Sequence, residues 1–189
     1  MPVKSVFLDR DGVINRGIGD GYVTSWKEFE FLPGAKDALA RLCASGLRPF
    51  IVTNQRGVAR GRLSQAELDD IHRHMLAELG QANVRINGIY VCVHDEGECP
   101  CRKPQTGLFL RAQEEFPDIE FASSVVIGDS LSDMEAGTRL GCWTILITQA
   151  VQPDIVLGEA RRRGIVVDRV AESLWDAAVR HLLPLPRPT

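Results

Sequence analysis

The chain of 189 residues, 44% of them hydrophobic, is long enough to bury one good core and too short to divide comfortably into two, so one domain is expected over residues 1–183, with a Pro-rich tail at 184–189. No apolar run approaches the roughly 18 residues of a membrane span, and the start lacks the long apolar stretch of a secretory signal, which makes a cytoplasmic protein the expectation. A formal net charge of −3 provides no basic footprint for a nucleic-acid backbone, so neither a nucleic-acid nor a membrane partner is expected, and the chain is expected to be a monomer.

Val6 to Leu8 is a short apolar burst bounded by Asp9, Arg10, Asp11 and Gly12, the pattern of a buried strand ending in a functional turn. Because side chains alternate along a strand, Asp9 and Asp11 can face one pocket where it ends. Two such carboxylates repel unless a cation neutralises them, and hard oxygen ligands suit Mg²⁺. An isolated D-x-D-G is nonetheless more often a solvated turn. From Pro33 the pattern turns helical, with Ala35, Ala38, Leu39 and Leu42 on one face and Gly46 placed to end it. A second strand, Pro49 to Thr53, leads into Asn54 and the loop QRGVARG. The Thr53 hydroxyl and Asn54 amide can donate to phosphate oxygens, although alone they make only a polar loop.

Ser64 and Glu67 form an S-x-x-E capping box, followed by Leu68, Ile71, Met75 and Leu79 on one helical face as far as Gly80. Further elements are a strand at Ile89 to Cys92, a helix at Leu108 to Phe116, a strand at Ser124 to Ile127, and a helix at Ser132 to Leu140 ended by Gly141. A strand at Trp143 to Ile147, a short helix, a weak strand at Ile165 to Val167 and an amphipathic helix at Glu172 to Leu182 complete the chain. Alternating strands and helices argue for an α/β sandwich around a mostly parallel sheet, with the ligand site at the carboxyl ends of the strands.

Three of the five cysteines crowd into ten positions, in YVCVHDEGECPCRKP. Cys92 and His94 are two apart, as are Cys99 and Cys101, so each pair can turn the same way from an extended chain. Three thiolates and one imidazole complete a tetrahedral zinc site over residues 92–101, against the alternative of a cluster of reduced cysteines beside a solvent-facing His. A zinc without an open position is structural and orders the loop leading into Arg102 and Lys103. Cys43 and Cys142 read as small buried hydrophobes. Lys103 is a compact cation able to offset a phosphoryl group and a nucleophilic carboxylate, though a lone lysine is usually a surface residue. In IGDSLSDMEAG, Asp129 directly follows a strand and Asp133 enters a helix, where capping can account for one of the two acids.

The ordered set D-x-D-G, Thr at a strand end, Lys, then G-D-x-x-x-D resembles the haloacid dehalogenase superfamily. That resemblance implies a three-layer α/β sandwich with a Rossmann-like, mostly parallel central sheet. It implies Asp9 as nucleophile, Asp11 as general acid and then base, and Thr53 and Lys103 as the phosphate-binding pair. Magnesium is then held by Asp9, the Asp11 carbonyl and Asp129, with Asp133 in support. Within the superfamily, C-x-H and C-x-C running into CRKP resemble the branch of histidinol phosphatases and heptose-bisphosphate phosphatases, which is essentially capless. Neither the interval from Asp11 to Thr53 nor that from Thr53 to Lys103 leaves room for a cap domain. GYV at Gly21 to Val23 and NQRGVARG at Asn54 to Gly61 resemble the heptose side, implying a small phosphorylated sugar as substrate, with histidinol phosphate as the alternative. Arg60 and Arg102 are then candidates for the sugar or its distal phosphate, since guanidinium forks match phosphate geometry. A phospho-acceptor receiver domain shares the sheet, the acidic pocket, the Thr and the Lys, but has no place for Asp11.

Overall fold

The computed structural model describes residues 3–19, 21–148 and 153–183; the Pro-rich tail lies outside them. Six parallel strands form one sheet: β1 (Ser5–Leu8), β2 (Arg48–Asn54), β3 (Gly88–Cys92), β4 (Ser124–Gly128), β5 (Trp143–Ile147) and β6 (Arg169–Ala171). Their spatial order is β3-β2-β1-β4-β5-β6, so the chain winds outward from β1 first in one direction and then in the other. Helices α1 (Ala35–Ala44), α2 (Gln65–Gln81), α3 (Gly107–Glu115), α4 (Leu131–Leu140), α5 (Pro153–Arg163) and α6 (Leu174–Ala177) connect them, and α6 continues as a π-helical turn, Ala178–Leu182.

The two-residue period of β1 explains the layers. Val6 and Leu8 pack with Leu39 and Leu42 of α1, Leu68, Ile71 and Met75 of α2, and Leu174 of α6. Phe7 points to the opposite face, against Phe50, Val52, Val126 and the α3 residues Leu108 and Phe109. Each such side chain contributes about 1.5–3 kcal/mol through burial. Since β1 is buried on both faces and paired on both edges, it reads as a continuous apolar run and holds the centre of the sheet.

The register sets where functional residues emerge. Leu8 pairs with Ile51 of β2 and Ile127 of β4, and the Asp9 amide continues the ladder to the Ile127 carbonyl at 2.9 Å. Asp9, Thr53 and Asp129 therefore leave three adjacent strands at one end of the sheet. The β1–α1 connection contains only a 3₁₀ turn, Trp26–Glu28, and the β2–β3 connection only α2, so no cap is inserted at either place. No helix among the described residues is long and apolar enough to cross a membrane.

Two expectations shift. Residues 165–167 do not form the last strand. Ile165 instead packs with Met134, Leu146 and Ala160, and Val167 lies against that cluster, while pairing with β5 falls to Arg169–Ala171. Cys43 is half-buried at the rim of the core rather than enclosed, and its thiol faces the Arg85 carbonyl at 3.7 Å.

Candidate active site

Asp9 sits where β1 stops, with its carboxylate 3.1 Å from the Lys103 ammonium. Lys103 is only 4% exposed. Its Nζ also contacts Asp133 Oδ1 at 2.5 Å and donates to the Val52 carbonyl at 2.6 Å. Burial alone would favour the neutral amine, but Asp133 and Asp9 together hold its pKa above the ordinary lysine value. Asn54 fixes the lysine's backbone: its Nδ2 donates to the Lys103 carbonyl at 3.1 Å and its Oδ1 accepts from the Lys103 amide at 3.0 Å. Asn54 also lines the cleft, so it anchors Lys103 from within the site.

Asp129 follows β4 and completes an acidic cluster with Asp9 and Asp133, whose ligand oxygens lie within 4.8 Å of one another. Asp133 is the third residue of α4 and caps it. It accepts from the Ser130 hydroxyl at 2.6 Å and the Ser130 amide at 3.2 Å, while its other oxygen meets Lys103. Capping therefore explains Asp133, and Asp129 is left facing Asp9. Burial and the charges of Asp9 and Asp133 push the Asp129 carboxyl up to about 8. Burial likewise raises Asp9 to about 6, against the pull of Lys103. Two carboxyls destabilised as anions, facing each other in a polar cleft, are the donor set a hard divalent cation stabilises. Gly12 (φ +78°) makes room for it, since a side chain there would run into the Asp129 carboxylate.

Asp11 is built differently. Its Oδ1 accepts from Arg10 Nη2 at 2.9 Å and Asn15 Nδ2 at 2.8 Å, and its Oδ2 from Arg10 Nη2 at 2.9 Å and Gln55 Nε2 at 2.7 Å. Burial raises its pKa, but the Arg10 charge and these hydrogen bonds more than offset that and lower it. Its side chain is committed to these donors, leaving its backbone carbonyl as the group available to a metal. Gln55 also donates to Thr53 Oγ1 at 2.9 Å, joining the end of β2 to the same network. Arg10, Asn15 and Gln55 were not singled out as site residues from the sequence, although Arg10 lies inside D-x-D-G and Gln55 inside NQRGVARG. The signal that could have drawn attention to Arg10 was its position between the two acids.

Asp9, Asp11, Asn54, Arg102 and Asp129 line one cleft of about 350 Å³, together with Arg56, Glu96, Ser130 and residues 17–19 and 21–23. Arg102 lines the cleft, and its Nη1 is buried without a hydrogen-bond partner. Arg60 does not line this cleft. Its Nε and Nη2 fork onto Asp95 at 2.8 and 3.2 Å, and Arg56 reaches Glu96 at 3.0 Å. Both pairs tie the loop after β2 to the loop after β3, and in this structure the Arg60 guanidinium is engaged with Asp95 outside the cleft.

The end of β3 and that second loop gather Cys92, His94, Cys99 and Cys101, and the three cysteines are free thiols. Sγ–Sγ separations are 3.5 Å for Cys92–Cys99 and 3.0 Å for Cys99–Cys101, and His94 Nδ1 lies 3.4 Å from Cys101 and 3.7 Å from Cys92. Zinc–sulfur bonds of about 2.3 Å imply tetrahedral edges of about 3.8 Å, so four donors at this spacing fit one ion. Burial works against the Cys99 thiolate, but hydrogen bonds from Cys101 and Arg102 bring its pKa down to about 7.

The sheet order, the acid pair after β1, the buried lysine and the acid pair after β4 define a haloacid dehalogenase-type phosphatase. The HAD-hydrolase-like family matches residues 100–177. A Mycobacterium bovis D-glycero-alpha-D-manno-heptose-1,7-bisphosphate 7-phosphatase is 41% identical over 92% of this chain and 89% of its own length. The Escherichia coli K12 D-glycero-beta-D-manno-heptose-1,7-bisphosphate 7-phosphatase is 36% identical over 92% of this chain and 91% of its own. A crystal structure of the B. bronchiseptica D,D-heptose 1,7-bisphosphate phosphatase, complexed with magnesium and phosphate, superposes with a TM-score of 0.84 at 34% identity, covering 94% of this chain and 97% of that one. This chain belongs to the heptose 1,7-bisphosphate 7-phosphatase family of these hydrolases.

Proposed function

We propose that this enzyme removes the C7 phosphate of D-glycero-D-manno-heptose 1,7-bisphosphate, leaving the heptose 1-phosphate, through an aspartyl phosphate on Asp9. The observation that carries the reading is the Asp9 carboxylate at the base of an arginine-walled cleft, 3.1 Å from an enclosed Lys103. Such monoesters are among the slowest substrates to hydrolyse unaided, needing accelerations up to about 10²¹-fold, so two covalent half-reactions and strong charge compensation are required.

In the first half-reaction an Asp9 oxygen bonds to phosphorus as the bond from phosphorus to the C7 oxygen breaks, and Asp11 delivers a proton to the departing alkoxide. In the second, Asp11 takes a proton from water as that water attacks the aspartyl phosphate, releasing inorganic phosphate and the Asp9 carboxylate. The hydrogen bonds around Asp11 favour its ionised form, which is the state the second half-reaction needs. Serving as acid requires Asp11 to give up one of them for a proton. Lys103 and the Thr53 hydroxyl bind the phosphoryl oxygens, and Arg102 faces the distal phosphate. Magnesium, held by Asp9, Asp129 and the Asp11 carbonyl, supplies the positive charge that lets an anionic nucleophile approach an anionic phosphoryl group.

We place a structural zinc at Cys92, His94, Cys99 and Cys101, within one phosphatase domain over residues 1–183 working in the cytoplasm, where thiols stay reduced. Phosphate release with Mg²⁺ from both anomers of the heptose bisphosphate and from histidinol phosphate tests the substrate, with Asp9→Asn as the inactive control. A preference for either heptose anomer in kcat/KM supports the reading. Preference for histidinol phosphate, or an active Asp9→Asn variant, overturns it.

A further inference from the structure

Arg10 is the largest fully buried side chain among the described residues. Its charge lies beneath the site, at the level where β1 ends. Among the described residues two side chains anchor the guanidinium: Nη2 donates to both oxygens of Asp11 at 2.9 Å, and Nη1 meets His72 Nε2 at 3.1 Å. Arg10 Nε has no partner. A buried guanidinium held on two sides has its plane fixed, whereas one held on a single side can rotate about its remaining contact.

His72 belongs to α2, on the buried face with Leu68, Ile71, Met75 and Leu79. It is 8% exposed. Burial and the Arg10 charge lower its pKa to about 4, so at neutral pH the ring is uncharged and one nitrogen can accept. The Ser64–Glu67 capping box fixes the start of α2 two turns before His72. A chain of rigid contacts thus runs from that helix start through His72 and Arg10 to the Asp11 carboxylate.

We infer that His72 and Arg10 are positioning residues for Asp11: the neutral imidazole accepts a hydrogen bond from Arg10 Nη1 and so turns the guanidinium to hold the catalytic carboxylate where proton transfer occurs. This rests on the role of Asp11 proposed above. Neither residue touches the substrate, and their effect is confined to steps that need Asp11.

That restriction supplies the test. A p-nitrophenyl leaving group departs without protonation, whereas an alkyl alcohol does not, and kcat/KM reports the half-reaction in which the leaving group departs. In the full-length enzyme with Mg²⁺, His72→Phe is expected to lower kcat/KM for the best alkyl phosphate about 10- to 100-fold, as expected for a roughly 1 Å displacement of a catalytic group. It should leave kcat/KM for p-nitrophenyl phosphate within about threefold, and His72→Gln, whose amide oxygen can accept from Arg10, should recover most of the loss. An equal loss on both substrates, or none, overturns the inference. The Asp11→Asn variant separates the two claims: if it shows no dependence on leaving group, the role of Asp11 fails, whereas if it does and His72→Phe does not, only the positioning role fails. Should His72→Phe not fold, the ¹⁵N spectrum of the parent imidazole decides: an unprotonated Nε2 at neutral pH is required, and a protonated Nε2 refutes the contact.

Discussion

Replacing Gly12 with Ala tests the acidic cluster without removing any of its acids. The new Cβ would overlap Asp129 Oδ2 and stand 2.5 Å from Asp129 Cγ, against 3.4 Å or more for an ordinary contact, so the carboxyl group must retreat by more than about 1 Å. Metal–ligand distances tolerate only about 0.2 Å, and a misplacement of about 1 Å in a catalytic constellation costs about 10²-fold, or roughly 2.7 kcal/mol of transition-state stabilisation. The backbone contributes separately, because alanine at φ +78° is strained by about 1–2 kcal/mol. Gly12→Ala should therefore unfold at lower urea with a loss of about 1–2 kcal/mol while remaining folded in buffer, and its kcat/KM should fall about 10²-fold with a weaker Mg²⁺ dependence. The assay is phosphate release across a Mg²⁺ titration, paired with urea denaturation. Turnover and Mg²⁺ dependence near those of the parent would refute the placement of Asp129 as a ligand pressed against the Gly12 backbone.

Metal binding should depend on pH in a direction the cluster dictates. Asp129 is raised to about 8 and Asp9 to about 6 without a cation; stability associated with raised carboxyls is present at low pH and lost as pH rises through those values. Magnesium binding displaces those protons, so its apparent affinity should strengthen on the order of tenfold per pH unit up to about pH 8 and then level off, as measured by isothermal titration calorimetry. A pH-independent affinity from 6 to 8 would contradict this. Cys99→Ser should lower zinc content, measured by atomic absorption, and destabilise the loop leading into Lys103; unchanged zinc content would remove Cys99 from the ligand set.

Much of the site was legible because its residues follow apolar runs: Asp9, Thr53 and Asp129 each leave a buried strand, and a parallel sheet brings strand ends together. The Ser64–Glu67 box marked the start of α2 for a local reason, since its hydrogen bonds span only three residues. What the sequence did not reveal depends on contacts between distant segments. His72 sits inside an apolar helical stripe, and nothing local shows that this stripe lies beneath the end of β1. Arg60 looked free because its partner, Asp95, is 35 residues away on another loop. The attachment of Asn54 to the Lys103 backbone was hidden because it crosses 49 residues. The misplaced last strand has a similar origin, since Ile165 and Val167 have strand-forming side chains but find their partners in α4, β5 and α5.

The cleft draws its lining from residues 9 to 130, while β5, α5, β6 and α6 supply none of it among the described residues. Among the described residues, then, the cleft lining and the elements from β5 onward are separate parts of the chain. Libraries aimed at altered sugar specificity can be confined to residues 17–19 and 21–23 and to Arg56, Glu96 and Arg102. The elements from β5 onward can then absorb stabilising substitutions beforehand, widening the range of cleft variants that still fold.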